Sequence, residues 1–92
     1  MPRKILTISD ALSNPLRRII VNLLLERPGM SMRQLARVLR MGAGNLAGHL
    51  LILERVGLVR EERDGNRIRL YVNTEYLLNG GNGDGTLHLR RV

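Results

Sequence analysis

The chain has 92 residues, enough for one domain and too few for a second core. Fifteen Lys and Arg against eight Asp and Glu give a net charge of +7, which suits a polyanion, because each cation laid on a phosphate releases condensed counterions. No cysteine is present, so disulfides, zinc fingers, cysteine nucleophiles and thiolate metal sensors are excluded.

An anionic membrane surface is the competing polyanion. All but one of the cations are Arg, which grips phosphates and guanine edges bidentately where Lys cannot. Phe and Trp are absent and Tyr occurs twice, so the core must be Leu, Ile, Val and Met. A core of this size leaves a monomer marginal, and dimerisation is the natural remedy. No apolar run reaches the length of a membrane span. Met1–Ile8 lacks the apolar stretch of a signal peptide, which points to the cytoplasm.

In chain order, Ile5, Leu6 and Ile8 read as a brief strand or a packing arm. Asn14-Pro15 starts a helix, with Asn as N-cap and Pro at the first helical position. Leu16, Ile19, Ile20, Leu23 and Leu24 follow on one apolar face, with Val21 and Leu25 off it, until Arg27-Pro28-Gly29 stops the helix. Ser31 to Gln34 has the pattern of a capping box, and Met30 and Leu35 stand where a hydrophobic staple would join them. Met32, Leu35, Ala36 and Leu39 face inward in this second helix, with Arg33, Arg37 and Arg40 opposite.

Met41-Gly42-Ala43 is a short break without a strong cap. The third helix turns Leu46, Leu50, Leu53 and Gly57 inward. The short break is the separation expected of a helix-turn-helix. After Gly57 the period changes from 3.6 to 2. Leu58–Arg63 and Asn66–Asn73 read as strands, with Ile68, Leu70 and Val72 alternating with Arg67, Arg69 and Tyr71, and Asp64-Gly65 as the hairpin turn. A basic hairpin after a helix-turn-helix is a wing. Thr74–Leu78 reads as a short helix capped by Thr74. Four glycines in Asn79–Thr86 mark a flexible tail. The expected organisation is a DNA-binding domain over residues 1–78 and a glycine-rich tail over 79–92. The fold class is α+β, a winged helix-turn-helix with three helices and a two-stranded wing.

Two stretches resemble ArsR-like winged-helix regulators. Ala11-Leu12-Ser13-Asn14-Pro15-Leu16-Arg17-Arg18 is similar to their opening helix. Gly44-Asn45-Leu46-Ala47-Gly48-His49-Leu50, continuing through Leu53-Glu54-Arg55-Val56-Gly57-Leu58-Val59, is similar to their recognition helix and its exit into the wing. The resemblance covers roughly Ala11 to Asn73. It implies a prokaryotic transcriptional regulator, usually a homodimer on a palindromic site. The sequence departs from that pattern in three ways. Metal-sensing clusters are missing. Ala47, Gly48 and Leu51 stand where polar or basic residues are common. The long C-terminal dimerisation helix is reduced or absent.

The candidate DNA contacts follow from these placements. Gly44, Asn45, Ala47, Gly48 and Leu51 lie on the recognition helix, with Ala43 just before it, and Asn45 has the amide that can pair with adenine. Arg60, Arg63, Arg67 and Arg69 lie on the wing, with Glu61 and Glu62 placed to pair with them across the ladder. Arg33, Arg37 and Arg40 can meet phosphates from the preceding helix. His49 reads as a structural histidine, since a lone His lacks partner ligands for a metal. No cofactor is expected, and nothing has the pattern of an enzyme: no nucleophile–base pair and no paired carboxylates at a plausible site. The alternative function is a protein-interaction module within a transcription assembly, for which Leu51, Ile52, Val21 and Leu25 would supply an apolar outer surface.

Overall fold

A computed structural model describes residues 7–75. In chain order the elements are α1 (Ile8–Ala11), α2 (Pro15–Glu26), β1 (Met30–Ser31), α3 (Met32–Leu39), α4 (Ala43–Arg55), β2 (Val59–Asp64) and β3 (Arg67–Val72). The sheet is antiparallel with order β1-β3-β2. A helix-turn-helix, α3–α4, therefore runs straight into a hairpin, the winged-helix arrangement expected. Two elements are additional: α1 and β1.

Helix α1 replaces the strand or arm expected around Ile8. Thr7 Oγ1 accepts from the Asp10 N–H at 3.0 Å, and Asp10 Oδ2 accepts from the Thr7 N–H at 3.0 Å. This reciprocal cap satisfies two donors at once and outweighs the weak alternation of the apolar residues. Ile5 and Leu6 lie outside the described residues. Helix α2 starts as expected, with Asn14 Oδ1 accepting from the N–H groups of Leu16 and Arg17 at 2.8 and 3.3 Å. Its buried face differs from the expected one: Ile20, Val21 and Leu24 are buried, while Ile19 is 48 % exposed. Helix α2 touches both β3 and α4, so its rotation is set by two neighbours rather than by its widest apolar stripe.

The Ser31 box closes as expected, with Gln34 N–H to Ser31 Oγ at 3.1 Å and Ser31 N–H to Gln34 Oε1 at 3.0 Å. Met30 and Leu35 are both buried beside it. The same Met30-Ser31 pair forms β1, opposite Leu70 and Arg69. Two residues are too few to show a strand period. Helix α3 ends through bonds from Arg40 N–H to Arg37 O and from Met41 N–H to Ala36 O, at 3.2 and 3.0 Å. Arg40 thus occupies, at φ 55°, a left-handed position where glycine is usual. Gly42 then opens α4 with no side-chain cap.

Leu46, Leu50 and Leu53 of α4 are buried. Gly57, expected on that inner face, lies beyond the helix and terminates it. At φ 84° it lets its own N–H reach Glu54 O and the Leu58 N–H reach Leu53 O, both at 3.0 Å. The hairpin turn is one residue later than expected: Asp64 pairs with Arg67, leaving Gly65-Asn66 as the loop. Gly65 has φ 63° at the first central position, as in a type II′ turn. Ile20, Leu24, Leu35, Leu46, Leu53, Leu58 and Leu70 are fully buried where helices and sheet meet. Thr74 and Glu75 are helical. The rest of the expected Thr74–Leu78 helix, the boundary after residue 78 and the glycine-rich tail lie outside the described residues.

One junction inside this fold responds to pH. Glu54, near the end of α4, has a buried oxygen without a hydrogen-bond partner among the described residues. Burial, then the neighbouring Glu61 carboxyl on β2, push its pKa up to about 7. The folded state therefore holds a proton that the unfolded chain releases near pH 4.5, and stability from this group is lost as pH rises from 4.5 through 7. Replacing Glu54 by Gln keeps the shape and removes the charge. Melting of the E54Q variant across pH 4–8 should show the gain in stability opening over that interval, with E54Q above wild type at pH 8 and nearly level at pH 4.

Candidate nucleic-acid interface

The exposed residues of α4 are Ala43, Gly44, Asn45, Ala47, Gly48, Leu51 and Arg55. Asn45 and Arg55, at opposite ends of this face, are its only hydrogen-bonding side chains. Between them the surface is apolar or has no side chain: Leu51 is 50 % exposed, and a Cβ placed on Gly44 or Gly48 would meet nothing within 4 Å. His49 lies at the partly buried edge, with Nδ1 3.2 Å from Arg17 Nη1. A guanidinium only donates, so Nδ1 is the acceptor in this contact. Arg17 Nε also bonds Ala11 O at 2.7 Å, so this arginine links α1, α2 and α4. Among the described residues no group of three or more His, Cys, Asp or Glu could hold a metal ion.

Arg33, Arg37 and Arg40 are exposed on and just after α3. A cleft of about 650 Å³ separates α3 from the wing and is lined by Arg33, Gln34, Arg37, Asn66 and Arg67 among others. Arg37 also borders a second cleft of about 450 Å³, which it shares with Arg27 and Arg69. Gln34, Asn66 and Arg27 were not candidates in the sequence. In the sequence Gln34 has the place of a capping residue and Asn66 that of the start of a strand. Nothing in the chain around Arg27 signals that the sheet brings it beside Arg37.

The four wing arginines do not act alike. By the register, Arg63 shares a face with Glu61, Ile68 and Leu70, while Arg60, Arg67 and Arg69 occupy the other. Arg60 is committed to Glu62 at 3.0 Å and to Asn73 Oδ1 at 2.9 Å, with its guanidinium 4.9 Å from the centre of the Tyr71 ring. Arg69 is committed to Asp64 at 2.8 Å and Gly29 O at 3.0 Å. Glu62 thus pairs within its own strand, and Glu61 meets Glu54 rather than an arginine, contrary to the pairing expected across the ladder. The side chains of Arg33, Arg37, Arg40, Arg63 and Arg67 make no hydrogen bond or ion pair among the described residues.

The apolar surface imagined for an interaction module is largely absent. Val21 is fully buried, Leu25 and Ile52 pack against the core, and Leu51 alone of the four is exposed. Binding titrations of duplex DNA over a salt series separate the arginines. Arg63→Ala and Arg67→Ala should each flatten the logarithmic salt slope by ~0.9 for all sequences alike. Arg60→Ala and Arg69→Ala should leave the slope nearly unchanged and lower the melting temperature instead.

The model for the bacterial regulatory proteins of the arsR family matches residues 14–61. An uncharacterized HTH-type transcriptional regulator of Methanocaldococcus jannaschii is 38 % identical over 60 residues, 65 % of this chain. The chain spans only 15 % of that relative's length. Among solved structures, a transcriptional regulator homologue from Pyrococcus horikoshii superposes with a TM-score of 0.72 at 28 % identity, covering 91 % of this chain and 84 % of the other. Reduced HlyU from Vibrio cholerae gives 0.64 at 27 % identity, covering 71 % and 67 %. Among the described residues no helix is long and apolar enough to cross a membrane. The capped α2, the α3–α4 pair and the start of the wing fall within the matched segment, and the chain belongs to the arsR family of bacterial regulatory proteins.

Proposed function

We propose that this protein is a transcriptional regulator that reads double-stranded DNA, with α4 in the major groove and the wing on the backbone or the adjacent minor groove. The observation that carries the reading is the cleft between α3 and the wing, where Arg33, Arg37 and Arg67 converge without protein partners. Helix α3 touches both α4 and β3, so a single helix separates that cleft from the recognition helix. Like charges held together are unfavourable until a polyanion neutralises them, and duplex phosphates do so at regular spacing.

In this reading Arg33, Arg37, Arg40, Arg63 and Arg67 meet phosphates. Ala43, Gly44, Asn45, Ala47, Gly48 and Leu51 face the bases, and Asn45 pairs with adenine. Arg60 and Arg69 shape the wing and approach DNA only through it. The protein acts as a homodimer in the cytoplasm, without a cofactor or catalysis of its own, and the two recognition helices sit about 34 Å apart on successive major grooves.

The test is a pair of measurements on one sample: the mass of the protein in solution, and its affinity for a duplex selected from a random pool against a scrambled duplex. A dimer mass and a large preference for the selected duplex are expected. Asn45→Ala should reduce that preference by roughly 5- to 150-fold while leaving scrambled binding nearly unchanged. Equal, weak binding of both duplexes by the wild-type protein would overturn the reading.

A further inference from the structure

The exposed face of α4 is built from residues that the fold does not require, while Leu46, Leu50 and Leu53 on the other face are buried in the core. Gly44 and Gly48 are helical and exposed, and a Cβ on either would meet open space. Glycine disfavours a helix interior relative to alanine, so at Gly48 above all the chain forgoes stability where its own packing would accept alanine. The benefit must therefore come from outside the chain, from a surface that approaches the backbone of α4 more closely than a methyl group allows. Ala47 and Leu51 stand on the same exposed face, Leu51 half-exposed. Neither can donate or accept a hydrogen bond.

Resting on the proposed DNA-binding reading, we infer that α4 recognises thymine C5-methyl groups, so that the preferred duplex is rich in A·T pairs at the centre of each half-site. The chemistry of the major groove leaves one choice. Every base edge there presents hydrogen-bond donors or acceptors, and the thymine methyl is the single apolar group among them. An apolar side chain facing a polar edge strips water from it without replacing the bonds. Facing a methyl, it removes apolar surface from water on both sides. Gly44 and Gly48 lower the helix toward the groove floor so that side chains as short as Ala47 reach, and Asn45 has the amide that pairs with adenine on the same kind of step. The net charge of +7 and the unpaired arginines beside α3 favour nucleic acid over an apolar protein as the occupant of this face.

The experiment uses the full chain and a duplex selected from a random pool, resynthesised with deoxyuridine at every thymidine. This substitution removes the methyl and leaves the base pairing intact. The selected duplex should be A·T-rich, and its uracil copy should bind about fourfold more weakly for each methyl contacted. Leu51→Ala, at an exposed position, should fold normally and shrink that thymine-to-uracil ratio. Gly48→Ala should raise the melting temperature by about 4–8 °C and yet weaken binding of the thymine duplex. Selection of a duplex that binds equally well with uracil would overturn methyl recognition while leaving DNA binding intact. Failure to select any duplex would overturn the reading beneath it as well. If Gly48→Ala instead lowers the dimer mass and weakens both duplexes alike, the glycine face belongs to a second copy of the chain, and the inference fails.

Discussion

The pairing of β1 with β3 is the contact on which the rest of the site depends. Met30 and Ser31 lie opposite Leu70 and Arg69, and the Gly29 N–H bonds Leu70 O at 2.9 Å. Ser31 is at once a strand residue and the cap of α3, so the ladder that holds it also fixes where α3 begins. Leu70 is fully buried on the opposite side of that junction. A strand of two residues thereby sets the wing against the helix-turn-helix. The cleft lined by Arg33, Arg37 and Arg67 exists only because that register is held. Arg69 secures the same corner through Gly29 O, and the Tyr71 hydroxyl lies so close to Gly29 that a Cβ there would stand 3.1 Å from it.

Around this rigid corner the motif gives up local stability at several exposed positions. Arg40 takes a left-handed conformation that costs a non-glycine residue ~1 kcal/mol. Gly42 starts α4 with no side-chain cap, and Gly44 and Gly48 follow within two turns. These features cluster on the face without internal contacts, whereas α2 and α3 have full side-chain caps. A helix made smooth and weakly anchored at one end, next to a helix made rigid by a capping box, is arranged for an external surface rather than for self-stability. The carboxyl pair of Glu54 and Glu61 adds a second sacrifice, where α4 passes into the wing.

Local chemistry made much of this legible. Asn14-Pro15, the Ser31 to Gln34 box and the alternation through Ile68, Leu70 and Val72 are signals carried by neighbouring residues, and each element formed where those residues placed it. What was hidden depended on partners distant in the chain. The rotation of α2, which buries Val21 and exposes Ile19, is decided by β3 and α4. Strand β1 exists because Leu70 reaches Met30. The division of the wing arginines into committed and unpaired members follows from register and from Asp64, Asn73 and Gly29. Strand alternation places Arg60 and Arg63 on opposite faces, and it gives no sign that Glu62 and Asn73 hold Arg60. The Thr7–Asp10 cap was visible as a pattern in the chain, and the apolar alternation beside it obscured it.

The central claim is that the corner formed by α3 and the wing presents cations to duplex phosphates while α4 meets the bases. A binding titration of wild-type protein on a mixture of genomic fragments, repeated from low to high salt, tests it most directly. Tight binding to a subset of fragments is expected, with a logarithmic salt slope of about −4 to −5 per protomer from Arg33, Arg37, Arg40, Arg63 and Arg67. A slope near zero, or equal binding to all fragments at every salt concentration, would contradict it.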